Sequence, residues 1–367
     1  MRVGPRVPIL AAGAPALMVL ASVVLASVAL ASVAPAVEPA PHPLLGSGWG
    51  VDHVGVGVRD LPKAQRDFER LGFKVSPGGR FPSGAFNSII GFRDLTYLEL
   101  LSFRRSPGGP SPKDDAADVA DFVSKHDGAM FLGLNVSSAR AAASYLKAHD
   151  FDVDGPVPGG RMREGETKQP APQWYLVSVA DKPGPNKRES SLPVFFIEYV
   201  AGDHADRTRG QGRAEHPNTA MGLRAVWFAV HDPRAELGAL RAAGFQAGES
   251  RESRLLGARG REVKAGSGAM ILLETSRRAG ALRRYMAEYQ EGIFAVSVEV
   301  SDLSVARSMA ESAAGGTVRT YRGAYGLSFL LPPGMTHGMW VEMFQRRGTS
   351  PHSARIPQTG NASGRRH

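Results

Sequence analysis

Residues 51–73, VDHVGVGVRDLPKAQRDFERLGF, read as a short apolar strand, a polar cap at Asp60 and an amphipathic helix that closes on Leu71-Gly72-Phe73. The same grammar returns three times, as self-similarity at a fixed period does in chains built from one repeated unit. MFLGLNV at 130–136 leads into ARAAASYLKAHDF, LRAVWFAV at 223–230 into PRAELGALRAAGF, and FAVSVEV at 294–300 into SVARSMAESAAGG. Ser137 or Ser138, Asp232 and Asp302 take the place of Asp60 as helix N-caps. From the last strand valine to the residue closing the helix runs Val58 to Phe73, Val136 to Phe151, Val230 to Phe245 and Val300 to Gly315, fifteen positions in each copy.

Each copy also ends in an apolar strand that holds a glutamate: Glu99 in YLELLSF, Glu198 in VFFIEYV, Glu274 in MILLET and Glu342 in MWVEMF. Counted from the same valines, these glutamates lie 41, 62, 44 and 42 positions on, so the second copy alone carries an insertion. It spans 159–192, is rich in Pro, Gly, Lys and Arg, and reads as a mobile surface loop able to close over a pocket. The pattern predicts an α+β fold of four β-α-β-β-β modules paired into two domains, 48–200 and 221–346. A linker over 201–220 joins them, and a basic, aperiodic tail over 347–367 reads as disordered.

The chain of 367 residues has 43% hydrophobic and 22% charged residues, the proportions of a globular protein with room for two cores. Its net charge of +9 is concentrated in loops and ends, at Arg207, Arg209, Arg213 and beyond Arg346. No recognition helix or RNA-binding signature accompanies it, so nucleic acid is not an expected partner. Ile356-Pro357-Gln358-Thr359-Gly360 resembles a sorting signal, but the apolar segment such a signal needs does not follow it.

Residues 1–37 differ from the rest: Arg2 and Arg6, then a run of Ala, Val and Leu, then small residues. This composition predicts a signal peptide cleaved after Ala31 or, because the apolar run is long, an uncleaved membrane anchor. Either places the body outside the cytoplasm, as a periplasmic, secreted or membrane-anchored protein. The absence of cysteine excludes a disulfide framework and leaves any metal to His and carboxylate ligands.

The paired modules resemble the vicinal oxygen chelate superfamily, and the first half resembles its glyoxalase-like branch. The residues that carry this likeness are Asp52-His53, Arg59-Asp60-Leu61, Leu71-Gly72-Phe73, Gly78-Gly79-Arg80, Gly84 with Asn87, Tyr97-Leu98-Glu99-Leu100, residues 192–198 (LPVFFIE) and His216-Pro217-Asn218. Phe81 and Gly84-Ala85 depart from the branch, where a histidine and a Gly-Thr pair are usual. The resemblance implies two glyoxalase-like domains whose curved mixed sheets form cups. It also implies a metal site with one ligand from the first and last strand of each paired module. Position by position, that gives His53, Glu99, Phe131 and Glu198.

Strand alternation turns Val54, Val56 and Val58 toward the helix and His53, Gly55 and Gly57 toward the cup, where the glycines leave room for a ligand. Glu99 shares a face with Tyr97 and Leu101, and Glu198 with Phe196. With Phe131 unable to coordinate, His53, Glu99 and Glu198 are the candidate ligands of a divalent Zn, Ni, Mn or Fe ion. Glu99 and Glu198 double as catalytic proton carriers. Arg80, Asn87, Tyr97 and Phe131 are the candidate substrate contacts, with Arg80 at the pocket mouth.

One imidazole does not make the two-histidine facial triad of the oxygen-activating relatives, so a metal-dependent isomerase or lyase acting on a small oxygenated molecule is the expectation. The alternatives are a binding or sequestering protein that uses the same cup without catalysis, and a purely structural envelope protein. Ala225 and Ala295 replace the histidine in the second half, which is expected to bind no metal by this route, although Trp227, Ser297 and Glu299 can line a small-molecule pocket. His126, His149 and His231 read as solvated or helix-capping, while His216 and His337 are weaker candidates for a fourth ligand. Monomer and homodimer both fit the sequence.

Overall fold

The computed structural model describes residues 41–81, 84–103, 115–161, 171–200, 215–253, 256–274 and 280–346. The expected leader, most of the expected linker and the expected tail lie outside these residues. Among the described residues, no helix is long and apolar enough to cross a membrane.

The first half folds as one eight-stranded sheet. Its strands are β1 (Gly50–Gly57), β2 (Ser76–Arg80), β3 (Ala85–Gly91), β4 (Tyr97–Phe103), β5 (Gly128–Asn135), β6 (Val153–Gly159), β7 (Trp174–Val179) and β8 (Val194–Tyr199). They lie in the order β2-β3-β4-β1-β5-β8-β7-β6. The second half repeats the plan with β9 (Ala220–Ala229), β10 (Ala247–Ser253), β11 (Ala258–Ala265), β12 (Gly268–Glu274), β13 (Gly292–Val300), β14 (Tyr321–Arg322), β15 (Gly326–Leu331) and β16 (Trp340–Arg346). Their order is β10-β11-β12-β9-β13-β16-β15-β14.

In each sheet the opening strands of two modules pair antiparallel, β1 with β5 and β9 with β13, and each is flanked by the parallel closing strand of its own module. A strand buried between neighbours on both edges reads as a nearly continuous apolar run, which is why these four stretches stand out in the sequence. The α+β expectation of four β-α-β-β-β modules paired into two glyoxalase-like units holds.

The helices that follow the opening strands are α1 (Leu61–Arg70), α3 (Ala139–Ala148), α4 (Pro233–Ala242) and α6 (Leu303–Ala314), with α2 (Asp115–Lys125) and α5 (Ala281–Tyr289) between modules. The caps lie where the sequence puts them. Asp60 accepts from Lys63 N–H, Ser138 from Ala141 N–H, Asp232 from Arg234 and Ala235 N–H, and Asp302 from Ser304 and Val305 N–H. Each such bond satisfies a backbone donor the helix cannot, worth about 1 kcal/mol.

Two expectations change. The stretch 159–192 is not all loop: WYLVSV at 174–179 forms β7, because its apolar alternation pairs with β6 and β8 between Pro- and Gly-rich flanks. The two expected cores are also joined, since one apolar cluster runs from Val54, Phe68 and Leu132 through to Val226, Phe228 and Val341.

Polar fasteners cross the same seam. His216 Nδ1 accepts from Lys74 N–H at 2.9 Å, and its Nε2 donates to the Gly91 carbonyl at 3.0 Å. Burial pushes this imidazole down to about 4. Asn218 donates to the Leu71 carbonyl at 2.9 Å. His337 lies 2.8 Å from Asp127 and 3.2 Å from Asp67. Neither histidine reaches the cup as a fourth ligand; both hold the halves together.

Candidate functional site

In the first half β4 runs beside β1 with Tyr97 opposite His53 and Glu99 opposite Gly55, so alternation places all three side chains on one face. The His53 ring is buried and stacks flat on Tyr97, with centroids 4.4 Å apart and planes at 7°. Its Nε2 lies 3.6 Å from Glu99 Oε2. Asn87, on the adjacent β3, donates to Glu99 Oε1 and accepts from Gly79 N–H at 2.7 Å. One amide therefore ties Gly79 of β2 to the carboxylate.

Asp52 completes the arrangement. The pairing of β1 with β5 slips between Val51 and His53, and a bulge of this kind re-aims a side chain that strict alternation would turn away. Asp52 Oδ1 lies 2.6 Å from His53 Nδ1 and accepts from the Tyr199 hydroxyl at 2.8 Å. That hydroxyl is 3.3 Å from the Tyr97 hydroxyl. A carboxylate only accepts, so Nδ1 carries the ring proton and Nε2 is the atom presented to Glu99. At 3.6 Å the Nε2 to Glu99 contact is longer than a hydrogen bond. An imidazole lone pair and a carboxylate left in this way can both accept from a proton-bearing group of a ligand beside them.

Glu198 does not join them. Its Oε2 accepts from Ala139 N–H at 2.7 Å, the first residue of α3, on the far side of the sheet. The reason is register. Gly55 pairs with Glu99, and the matching glycine of the second module, Gly133, pairs with Phe195. The residue in the place of Glu99 is thus Phe195; Glu198 is three further along, on the opposite face, where it supports the positive end of a helix.

The glycines leave less room than the sequence suggests. A Cβ on Gly55 would collide with the Phe131 ring, one on Gly133 would come 2.6 Å from His53 Cε1, and one on Gly57 would come 2.8 Å from Met130 Sδ. The space above them is filled by side chains from the neighbouring strand. Phe131 and Phe195 pack around His53 at centroid distances of 5.9 and 5.5 Å.

Of the other expected contacts, Asn87 and Tyr97 stand at the site and Arg80 is exposed on β2. Asp52, Tyr199 and Phe195 are not among the ligands or contacts that the sequence leads one to expect. The Asp-His pair was the available signal for Asp52, and counting strand positions from Gly133 would have found Phe195. In the second half Trp227 Nε1 donates to Ser297 Oγ at 2.8 Å, and Ser297 Oγ to Glu342 Oε2 at 2.6 Å. Burial raises the Glu342 carboxyl above the usual range. Glu299 instead pairs with Arg346 at 2.8 Å.

The metal site implied by the resemblance draws on four strand positions, three of which the sequence fills with candidate ligands. This cup offers His53 Nε2 and Glu99, with phenyl rings at the other two places, so the residues present do not fit a complete protein-held metal site. Among the described residues, no three His, Cys, Asp or Glu side chains are placed to hold an ion.

Residues 51–244 match the family model of the glyoxalase-like domain, more than half of the chain. The chain belongs to this family. The glyoxalase-like protein is also similar in fold to a hypothetical protein from Staphylococcus aureus, at 13% identity and a TM-score of 0.54, over 80% of this chain and 98% of that one. A variant of 4-hydroxymandelate synthase from Streptomyces coelicolor aligns at 15% identity and a TM-score of 0.51, over 82% and 93%. No curated protein sequence matches this glyoxalase-like chain. Its fold is that of the vicinal oxygen chelate superfamily.

Proposed function

We propose that the first-half cup binds a small oxygenated molecule and that His53 and Glu99 move a proton on it, an isomerase- or lyase-type reaction run by the chain's own acid and base. The carrying observation is the unclosed 3.6 Å contact between His53 Nε2 and Glu99 Oε2, with Nδ1 fixed by Asp52 on the other side. Nε2 takes the proton from a carbon beside a carbonyl, and the electron pair moves onto the carbonyl oxygen. The imidazolium formed is stabilised by the carboxylates of Asp52 and Glu99. The proton on Nε2, returned directly or passed first to Glu99 and from there to a neighbouring atom, completes an isomerisation. No step is routed through a metal ion, because the donor set is incomplete.

Phe131 and Phe195 favour a second reading, sequestration without turnover, since they make the cup more apolar than proton transfer requires. One experiment separates the two. The purified chain is incubated in D2O with a panel of small 2-oxo and 2-hydroxy acids and aldehydes, and deuterium uptake is followed by NMR. Uptake that is lost in His53→Ala and in Glu99→Gln supports catalysis. A compound that raises Tm without exchanging supports sequestration. Uptake that is unchanged in both variants overturns the catalytic reading.

Export of the body by residues 1–37 belongs to the same proposal, supported by the basic start, the apolar run and the small residues that follow it.

A further inference from the structure

Away from the cup, a cavity of about 250 Å3 opens at the seam between the two halves. Phe122 and His126, at the end of α2, line it from the first half; Tyr285, Tyr289 and Glu291, in and after α5, line it from the second. The aromatic wall is continuous across the seam. The Phe122 and His126 rings are 4.3 Å apart, His126 and Tyr289 4.6 Å, and Tyr289 and Tyr285 5.0 Å. His126, which the sequence suggests is solvated, is therefore part of a row of rings in edge-to-face contact.

The chemistry of this wall is one-sided. His126 Nδ1 faces the Asp127 carbonyl at 3.2 Å, and a carbonyl only accepts, so Nδ1 carries the proton and Nε2 presents a lone pair. The Tyr285 hydroxyl donates to the Ile293 carbonyl at 3.2 Å, and burial holds its phenol well above the usual range, so the ring stays neutral. Glu291 has one oxygen on His231 N–H at 2.5 Å, and no second partner among the described residues. Among the described residues, no lysine or arginine lines the cavity, in a chain of net charge +9. Arg59, which acts on Tyr289 from nearby, is itself paired with Asp127 at 2.9 Å. Ring faces carry negative potential, and a neutral aromatic enclosure with a carboxylate attracts positive charge that is weakly hydrated.

We propose that this cavity binds an organic cation, the substituted ammonium group of a small molecule, held over Tyr289, Tyr285, Phe122 and His126 with Glu291 as counter-charge. The site needs both halves, so its occupant also secures their packing. It is independent of the acid and base in the first-half cup.

The probe pair is choline and 3,3-dimethylbutan-1-ol, which have nearly the same shape and differ in charge. Titration calorimetry on the full chain is expected to show saturable millimolar or tighter choline binding, and binding of the neutral alcohol about tenfold weaker or undetectable. Tyr289→Ala is expected to lower choline affinity about tenfold, Tyr289→Phe to retain it, and Glu291→Gln to weaken it several-fold. His53→Ala is expected to leave it unchanged. Equal affinity for the alcohol, no saturable choline binding, or full affinity in both Tyr289→Ala and Glu291→Gln overturns the proposal. If Tyr289→Ala proves unfolded by circular dichroism, the alcohol comparison and Glu291→Gln decide.

Discussion

The His53 ring lies over Gly133, so that a methyl group on that glycine would come 2.6 Å from Cε1 and 2.8 Å from Nδ1. The contact is with a buried, stacked ring hydrogen-bonded to Asp52, which has little freedom to retreat. Gly133→Ala is expected to lower stability by about 1–3 kcal/mol, the usual cost of overfilling a packed site, and to disturb the Asp52 to His53 bond. Urea unfolding checks the first, and the imidazole resonances of His53 the second. An unchanged midpoint would show that the ring moves freely.

Glu99 and Glu198 are expected to behave oppositely. Glu198→Gln removes the carboxylate at the start of α3 and should cost about 1 kcal/mol of stability without altering ligand binding in the cup. Glu99→Gln should leave stability nearly unchanged and abolish deuterium uptake. Paired measurements of urea midpoint and exchange on both variants test the contrast; loss of exchange in Glu198→Gln would contradict the register described above.

His216 sets a pH dependence. Its folded-state value, lowered by burial to about 4, lies below the unfolded value near 6.5, so between those limits the unfolded chain binds the extra proton. Stability from this group is complete above about pH 6.5 and is lost as pH falls toward 4, a span worth about 3 kcal/mol. In His216→Ala the slope of stability against pH over this window should fall by about one proton. Urea titrations at several pH values measure it.

The leader gives a sharper test. Cleavage after Ala31 puts Ser32 at the mature N-terminus, whereas a retained anchor leaves the full mass and a membrane-bound chain. Intact mass and cell fractionation distinguish the two; a full-length soluble chain in the cytoplasm would contradict both.

The modules, their helices and the four N-caps were legible because each is a local pattern: an apolar strand, a capping side chain and a fixed interval. The site was legible only in part. Counting to a glutamate, rather than to a register position, gave Glu198 the role of Glu99, and it treated Glu274 in the same way, although Ile271 is the residue opposite Trp227 in that module. Glu342, opposite Ser297, is the true counterpart. Asp52 escaped because a bulge overrides the alternation that sequence reading must assume. The room above the glycines was misjudged because what fills it comes from a strand some 80 residues away, which no local window contains.

The placement of His53 over Gly133 and of Phe131 over Gly55 is the same contact made twice, once from each module across the antiparallel β1 and β5 pair. A duplicated unit would give the cup interchangeable sides. Here one side ends in an imidazole and the other in a phenyl, so the cup has a head and a tail. A molecule turned end for end meets different chemistry, and the orientation of whatever it holds is encoded in that difference and in the Glu99 and Phe195 that stand in matching places beside it.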